Sequence, residues 1–383
     1  MLRIEYQNKT LLKQRYLNVF SKEIAEMQES WDTHRVLLIK HMNMKESILP
    51  ENIEDVLTGN FRSLATIYLE YCSKPKNSEE HQDLKELFRY TSQPHSGSGY
   101  QPKIAVFFMQ NRDLIDLSTC YYCDMTYINV YDQVLEEDSD KEVISFLNFS
   151  GKEVLQNILG YAIDTIDDII TKRKEALFES GSDFDSRRMR RGIRYEQVKK
   201  MILEQSKNHF DLDHFLDKES CPIIGLSLFN FVPSCQVCNE KLKRSKVLGN
   251  TVDELCKCSP TCEEYRFNEE VKITLNTPLI PLSKEAAQKL TSLQFECRKG
   301  SAYENEIKVF RLNQRYNFHK EEALRMIGLK NRYSDSKIAE IAKLIYDGTE
   351  KAEQQVKEDL LGVEFKNTHH RCFRKMYNDL LKD

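Results

Sequence analysis

Apolar residues recur every three or four positions in several parts of the chain, the spacing that places side chains on one face of a helix. The first series is Phe61, Leu64, Ile67, Tyr68 and Tyr71. Two later series are Val154, Ile158, Ala162, Ile166, Ile169 and Ile170, and Ile338, Ile341, Ala342 and Ile345. They predict a mainly helical region over residues 1–100, one long helix from 151 to about 178, and a helix that begins after Ser334 or Ser336.

Short apolar or alternating runs predict strands between these helical regions. The runs are KIAVFFM (103–109), FDLDHF (210–215), the segment around Asn230, VKITLN (271–276) and IKVFRL (307–312). The Lys-rich segment that begins at Asn239 is predicted to be helical. Helices towards both ends and short strands between them together predict an α+β fold.

Loop-like and charged stretches divide the chain into three predicted regions. Residues 1–100 form an N-terminal, mainly helical region, which ends in the Ser-, Gly- and Pro-rich stretch SQPHSGSGYQP. Residues 101–250 form a central core with a helical insertion at about 150–206. Residues 251–383 form a C-terminal, mostly helical region.

Composition then narrows the class of protein. Of the 383 residues 40% are apolar and 30% are charged, which suffices to build apolar cores. No apolar run approaches the roughly 20 residues of a membrane-spanning helix, and the charged N-terminus does not read as a secretory signal. We therefore expect a soluble, cytoplasmic protein without a membrane partner. The net charge of −4 excludes a global basic field, so nucleic-acid binding would depend on local patches such as residues 186–200.

Two of the cysteine spacings indicate a metal site. Cys120 and Cys123 form one C-x-x-C pair, and Cys235 and Cys238 form another. Two such pairs can complete a closed tetrahedral Cys₄ site that holds zinc for structure and leaves no position for substrate. The alternative is four buried cysteines without a metal. Three further cysteines suggest a second metal site that lacks a nearby histidine, namely Cys256, Cys258 and Cys262.

A second group of residues combines candidate ligands for a divalent metal ion with a candidate general base. Asp213 and Asn239 offer hard oxygen atoms of the kind that bind Mg²⁺ or Mn²⁺, and His214 beside them can act as a general base. Because Asp213 and His214 are adjacent, a regular strand would point them to opposite faces. Basic residues follow Asn239 and are candidate phosphate contacts or simply solvated surface, namely Lys241, Lys243, Arg244 and Lys246.

The order of these residues resembles the ββα-metal motif of HNH nucleases. The resemblance implies that Asp213 is a catalytic metal ligand, that His214 is the general base, and that Asn230 is the central Asn that braces the loop. It implies that Asn239 is the last metal ligand, a position that is His in some members of the family and Asn in others. The two cysteine pairs match those HNH nucleases in which four cysteines bind zinc and hold the strands and helix together.

Longer segments extend the resemblance over roughly residues 97–330. They are GYQPKIAVFF, TCYYCDMTYINVY, DHFLDKESCPIIGLSLFNFVPSCQVCN, SPTCEEYRF and LNQRYNFHKEEAL. Together they resemble the nuclease subunits of Septu-type anti-phage defence systems, which also occur with some retrons. The resemblance implies a metal-dependent endonuclease of DNA, or alternatively of RNA, that works with an ABC- or SMC-like ATPase and in some settings with retron components.

A different class of protein stays open as the alternative, a non-catalytic zinc-knuckle subunit that binds nucleic acid or serves as a scaffold. Asp213 and His214 separate the two classes, because a binding module has no need for a metal-binding carboxylate beside a free imidazole.

Overall fold

The fold in the computed structural model is α+β, as the sequence predicts. The structure describes residues 2–75, 78–91, 99–132, 139–203, 206–277, 289–346, 348–361 and 372–381. The chain divides into two compact units. The first comprises Met1–Tyr90, Asn111–Asn129 and Phe210–Asp383, and the second comprises Thr91–Gln110 and Val130–His209. Each unit is therefore assembled from separate stretches of the chain.

The elements of the described residues are as follows. The helices are α1 (Lys9–Leu17), α2 (Ile24–Lys40), α3 (Ile53–Thr58), α4 (Phe61–Ser73), α5 (Ser78–Leu87), α6 (Gln101–Gln110), α7 (Ser139–Phe149), α8 (Lys152–Leu159), α9 (Ile163–Glu175), α10 (Gly181–Ser186), α11 (Tyr195–Leu203), α12 (Val252–Cys258), α13 (Phe267–Glu270), α14 (Tyr303–Val309), α15 (Leu312–Asn317), α16 (Lys320–Arg332), α17 (Asp335–Ile345), α18 (Glu350–Leu361) and α19 (Arg374–Leu381). The strands are β1 (Val130–Asp132), β2 (Ser206–Asn208), β3 (Asp211–His214), β4 (Phe231–Ser234), β5 (Lys272–Asn276) and β6 (Ser292–Glu296). They pair as three antiparallel sheets, β1 with β2, β3 with β4, and β5 with β6.

Helices α1 to α5 confirm the helical prediction for the part of residues 1–100 that the structure describes. The predicted apolar series of α4 is buried along one face. Asn60 caps this helix, because its side-chain oxygen accepts a hydrogen bond from the Ser63 backbone N–H at 2.9 Å. Ser227, in the loop before β4, donates to the Val56 carbonyl oxygen of α3 at 2.7 Å. The N-terminal helices thus support the loop that leads into β4.

Strands β3 and β4, followed by the π-helix Val237–Lys243, position the candidate site. In the antiparallel pair Asp211 lies opposite Ser234, and His214 lies opposite Phe231. The alternation in FDLDHF therefore predicted β3 correctly. The segment around Asn230 differs from the prediction, because Asn230 ends a short 3₁₀ turn and the strand begins one residue later.

Helices α7 to α11 surround the core of the second unit, where Leu147, Ile166, Phe184 and Val198 are fully buried. The prediction of one long helix over 151–178 is wrong. The first helix ends at Leu159, and Gly160 takes the left-handed conformation (φ 63°) that stops it. The chain then restarts as α9. The apolar spacing continued through this break, so the pattern alone did not reveal it.

Two of the strand predictions are also wrong. Residues 103–109 belong to α6, where Ile104, Phe107 and Phe108 are buried at helical spacing. Residues 307–309 end α14, and the rest of IKVFRL enters α15. A short apolar run does not distinguish a buried strand from a buried helix face. The strand predicted in VKITLN is confirmed as β5.

Helix α19 packs at the hairpin of β5 and β6. The Asp379 carboxylate accepts the Ile273 backbone N–H at 2.7 Å, and Lys375, which is fully buried, pairs with Asp379 at 2.9 Å. Near the start of the same helix, the Lys375 backbone N–H donates to the Asp124 carboxylate at 3.0 Å. The C-terminal helix is thereby tied to the segment that follows Cys123. Among the described residues, no helix combines the length and apolar character needed to cross a membrane.

Candidate functional site

The two C-x-x-C pairs meet in the first unit as one buried cluster. Cys120 and Cys123 lie in a tight turn in which the Asp124 N–H donates to the Cys120 carbonyl oxygen at 2.9 Å, while Cys235 and Cys238 join β4 to the π-helix. The four sulfur atoms lie within 4.8 Å of one another, and those of Cys123 and Cys235 are 4.0 Å apart. Tetrahedral zinc with Zn–S bonds of about 2.3 Å places sulfurs roughly 3.8 Å apart. The cluster therefore fits a structural metal ion such as zinc.

Neighbouring side chains complete this cluster. Arg315 Nη1 donates to Cys238 Sγ at 3.3 Å, and the Tyr316 hydroxyl donates to the Cys123 carbonyl oxygen at 2.8 Å. The guanidinium charge offsets part of the negative charge that four thiolates would carry. Hydrogen bonding from Cys120 lowers the pKa of the Cys235 thiol, whereas burial raises the pKa of the Cys120 thiol.

Arg315 and Tyr316 are not among the site residues predicted from the sequence. The signal that could have found them was the segment LNQRYNFHKEEAL, which contains both residues and is part of the resemblance.

Asp213 is held in a buried network on one side of β3. The Tyr122 hydroxyl donates to Oδ2 at 2.5 Å, and the Lys243 ammonium lies 3.0 Å from Oδ2 and 3.2 Å from Oδ1. Lys243 also donates to the His214 carbonyl oxygen at 2.7 Å. Burial raises the pKa of Asp213, and the charge of Lys243 opposes that increase.

His214 is half-buried and packs against two aromatic rings that also contact each other. Its ring centroid is 4.6 Å from that of Tyr90 and 4.8 Å from that of Phe231. Nε2 lies 2.9 Å from the Gly225 carbonyl oxygen. Because a carbonyl oxygen only accepts, Nε2 carries the proton and the lone pair of the neutral ring lies on Nδ1. Burial lowers the pKa of His214 to about 3, so the imidazole is neutral near pH 7.

Asn230 closes the loop between β3 and β4. Its Oδ1 accepts the Leu216 N–H at 2.8 Å, and its Nδ2 donates to the carbonyl oxygens of Leu216 and Ile224, each at 3.1 Å. The side chain is completely buried. Asn230 thus fixes the backbone next to Gly225, the residue that orients the His214 ring.

Asn239 contacts Asp211 rather than Asp213. Its Nδ2 donates to Asp211 Oδ2 at 3.3 Å. Both oxygens of Asp213 already accept hydrogen bonds, and the residue is only 3% exposed. As arranged, Asp213 and Asn239 do not fit a site for Mg²⁺ or Mn²⁺, and the cation beside Asp213 is the Lys243 ammonium.

The basic residues after Asn239 do not all reach solvent. Lys241, Arg244 and Lys246 are exposed, so their charges are available to an approaching phosphate. Lys243 is 1% exposed. Its role in the structure is therefore to pair with Asp213, which differs from the phosphate contact that the sequence suggested.

The basic stretch at 186–200 lies in the second unit and is partly neutralised there. Arg187 pairs with Asp183 at 2.6 Å, and Lys199 pairs with Asp140 at 2.8 Å. Such pairing favours the interpretation of a solvated, ion-paired face for this stretch.

Comparison of the chain with protein-family models, with curated proteins and with solved structures finds no match.

Proposed function

We propose that the chain is an HNH-type endonuclease that hydrolyses phosphodiester bonds in nucleic acid. The observation that carries the proposal is the orientation of the His214 imidazole at the end of β3, where the Gly225 carbonyl oxygen holds Nε2 and leaves Nδ1 as the basic nitrogen. The surrounding order of strand, closed loop, strand and helix supports it, because this is the arrangement that the resemblance to HNH nucleases implies.

The residues of the chain can perform the proton transfer that hydrolysis needs. The Nδ1 lone pair of His214 can take a proton from a water molecule, which makes that water a nucleophile towards phosphorus. As the water oxygen bonds to phosphorus, the bond from phosphorus to the leaving sugar oxygen breaks, and that oxygen takes a proton from solvent. The Gly225 carbonyl oxygen holds the opposite ring nitrogen, and Asn230 holds the loop that carries Gly225. Exposed Lys241 and Arg244 supply positive charge for the nucleic-acid backbone.

A requirement for Mg²⁺ or Mn²⁺ is the part of the resemblance that the arrangement of Asp213 does not support. No step above depends on a divalent ion. Assays with no added metal, with Mg²⁺ and with Mn²⁺ therefore test this requirement directly. The structural zinc ion in the Cys₄ cluster is a separate proposal, supported by the cluster's sulfur spacing.

The setting in anti-phage defence, with an ABC- or SMC-like ATPase and in some cases retron components, rests on the resemblance. Exposed apolar side chains support a partner surface on α17, where Leu344 is 78% and Ile345 is 66% exposed. Co-expression with the ATPase, followed by size-exclusion chromatography with light scattering, should give a stable complex. Separate elution of the two proteins would contradict the partnership.

The decisive experiment compares cleavage of plasmid, single-stranded DNA and tRNA by the wild type and by His214→Ala. We expect His214→Ala to lose cleavage and to retain its fold and zinc content. His209→Ala is the matched control, because His209 is an exposed histidine in the same stretch of chain. Equal cleavage rates in the wild type and in His214→Ala would contradict the proposal.

One observation favours the alternative, a non-catalytic zinc-knuckle subunit that binds nucleic acid without cleaving it. The carboxylate of Asp213 is satisfied by Tyr122 and Lys243, as in a structural ion pair. That alternative predicts binding to nucleic acid without cleavage under every metal condition, with and without the ATPase.

A further inference from the structure

A second group of cysteines lies in helix α12 and in the turn after it, in the first unit. Cys256 is fully buried near the end of the helix, and Cys262 is buried after the turn that follows it. The sulfur atoms of Cys256 and Cys262 and a carboxylate oxygen of Glu264 all lie within 4.8 Å of one another. Cys258 is not part of this group, because its thiol donates to the Ala302 carbonyl oxygen at 3.5 Å.

We propose that Cys256, Cys262 and Glu264 bind a second metal ion of the zinc type, with water as the fourth ligand. The proposal does not depend on nuclease activity. It also differs from the Cys₄ cluster in kind, because three protein ligands leave one coordination position open.

The backbone around these ligands is fixed by its own hydrogen bonds. The Cys262 N–H donates to the Ser259 carbonyl oxygen at 3.0 Å, and the Thr261 hydroxyl donates to the Phe229 carbonyl oxygen at 2.6 Å. Zinc would bring two sulfurs to roughly 3.8 Å. The two sulfur atoms now lie within 4.8 Å of each other, so zinc binding requires at most a small movement of the cysteine side chains.

Arg62 supplies the charge balance that such a site needs. Its Nε and Nη2 each donate to one carboxylate oxygen of Glu264 at 2.8 Å, and Nη2 also contacts Asp253 at 2.8 Å. A carboxylate oxygen that accepts one hydrogen bond keeps a further lone pair for a metal. Two thiolates and one carboxylate carry three negative charges, which a divalent ion and the Arg62 guanidinium together neutralise.

The open position has a route to solvent. Cys262, Glu264 and Arg62 line a cavity of about 320 Å³, together with Lys9 and Lys13. Water can therefore reach the fourth position. Exchange of this ion should accordingly be faster than exchange at the closed Cys₄ cluster.

The test is the zinc content of the purified full chain, prepared under reducing conditions and measured by elemental analysis. We expect two zinc ions per wild-type chain, and one in Cys256→Ser and in Cys262→Ser. Cys258→Ser is the matched control, a buried thiol on the same helix that should keep both ions. Cys120→Ser should lose the other ion, so a failure of the Cys₄ assignment is distinguished from a failure of this one.

Glu264→Gln tests the same site with a variant that should fold even if the cysteine variants do not. The Glu264 side chain is 41% exposed, and its replacement removes the negative charge without creating a cavity. We expect Glu264→Gln to release one ion to a weak chelator at least tenfold faster than the wild type. A wild-type content of one zinc ion that Cys256→Ser leaves unchanged would overturn the proposal. A Cys256–Cys262 disulfide in the protein prepared under reducing conditions, detected by mass spectrometry, would also overturn it.

Discussion

The ammonium group of Lys243 lies 3.0 Å from Oδ2 of Asp213, and neither residue is more than 3% exposed. The pair joins the strand that carries His214 to the helix that carries Cys238. A buried charge is costly unless it is paired and hydrogen-bonded. The pair therefore fixes the position of the helix against the hairpin of β3 and β4.

Removal of Lys243 should destabilise the protein strongly. Lys243→Met leaves the Asp213 carboxylate buried without its cation, which costs about 3–5 kcal/mol for buried pairs of this kind. Urea denaturation followed by circular dichroism measures the change in free energy of unfolding. Lys241→Met is the control, because Lys241 is exposed on the same helix and its replacement should change stability by less than about 0.5 kcal/mol. Similar stability of the two variants would argue against the buried pair.

Loss of one ligand of the Cys₄ cluster should remove zinc and lower stability together. In Cys235→Ser the weaker oxygen ligand replaces a thiolate, and the free energy of structural zinc binding is free energy of folding. We expect one zinc ion fewer per chain and a lower melting temperature. Cys72→Ser, at a half-buried cysteine outside both clusters, should keep the metal and the melting temperature of the wild type. An unchanged zinc content in Cys235→Ser would rule out the assignment.

Asn230 should contribute to stability through its loop. Asn230→Ala removes three hydrogen bonds and leaves the backbone groups of Leu216 and Ile224 without these partners, which should cost about 2–4 kcal/mol. Cleavage of nucleic acid should fall as well, because the same loop carries Gly225. Asn268→Ala is the control at an exposed asparagine. Measured free energies of unfolding and cleavage rates of the two variants test whether Asn230 stabilises this loop.

Glu306 should make stability depend on pH. It is fully buried, its Oε1 accepts the Tyr265 hydroxyl at 2.7 Å, and burial raises its pKa to about 8. The folded state thus holds a proton that the unfolded state releases near the ordinary pKa of 4.5. The contribution of this proton on Glu306 to the free energy of unfolding is complete below pH 4.5 and is lost as the pH rises towards 8.

Glu306→Gln should remove this part of the pH dependence, since the amide does not ionise. At pH 8 the variant should be more stable than the wild type, by an amount on the order of 1–3 kcal/mol. Denaturation curves at pH 5 and pH 8 measure the effect, and Glu270→Gln, at an exposed glutamate, is the control. A parallel pH dependence in the wild type and in Glu306→Gln would contradict the prediction.

Local patterns predicted the features that depend on neighbouring residues. The alternation around Leu212 predicted β3, and the two-residue gaps predicted which cysteines meet. Apart from the cysteine cluster, contacts between distant residues left no such pattern. Nothing in the sequence indicated that Lys243 would turn inwards to Asp213, or that Asn239 would contact Asp211, because side-chain direction in the π-helix depends on packing around it.

The position of the cysteines along the chain has a consequence during synthesis. Cys123 and Cys235 are 112 positions apart, and residues 130–209 between them belong to the second unit. At ribosomal speeds of about 5–20 residues per second, the second pair emerges on the order of ten seconds after the first. During that interval Cys120 and Cys123 are thiols without their partners, open to oxidation or to capture of the wrong ion. Correct assembly of the four-cysteine cluster therefore depends on how well the cell protects the first cysteine pair until the second pair is made.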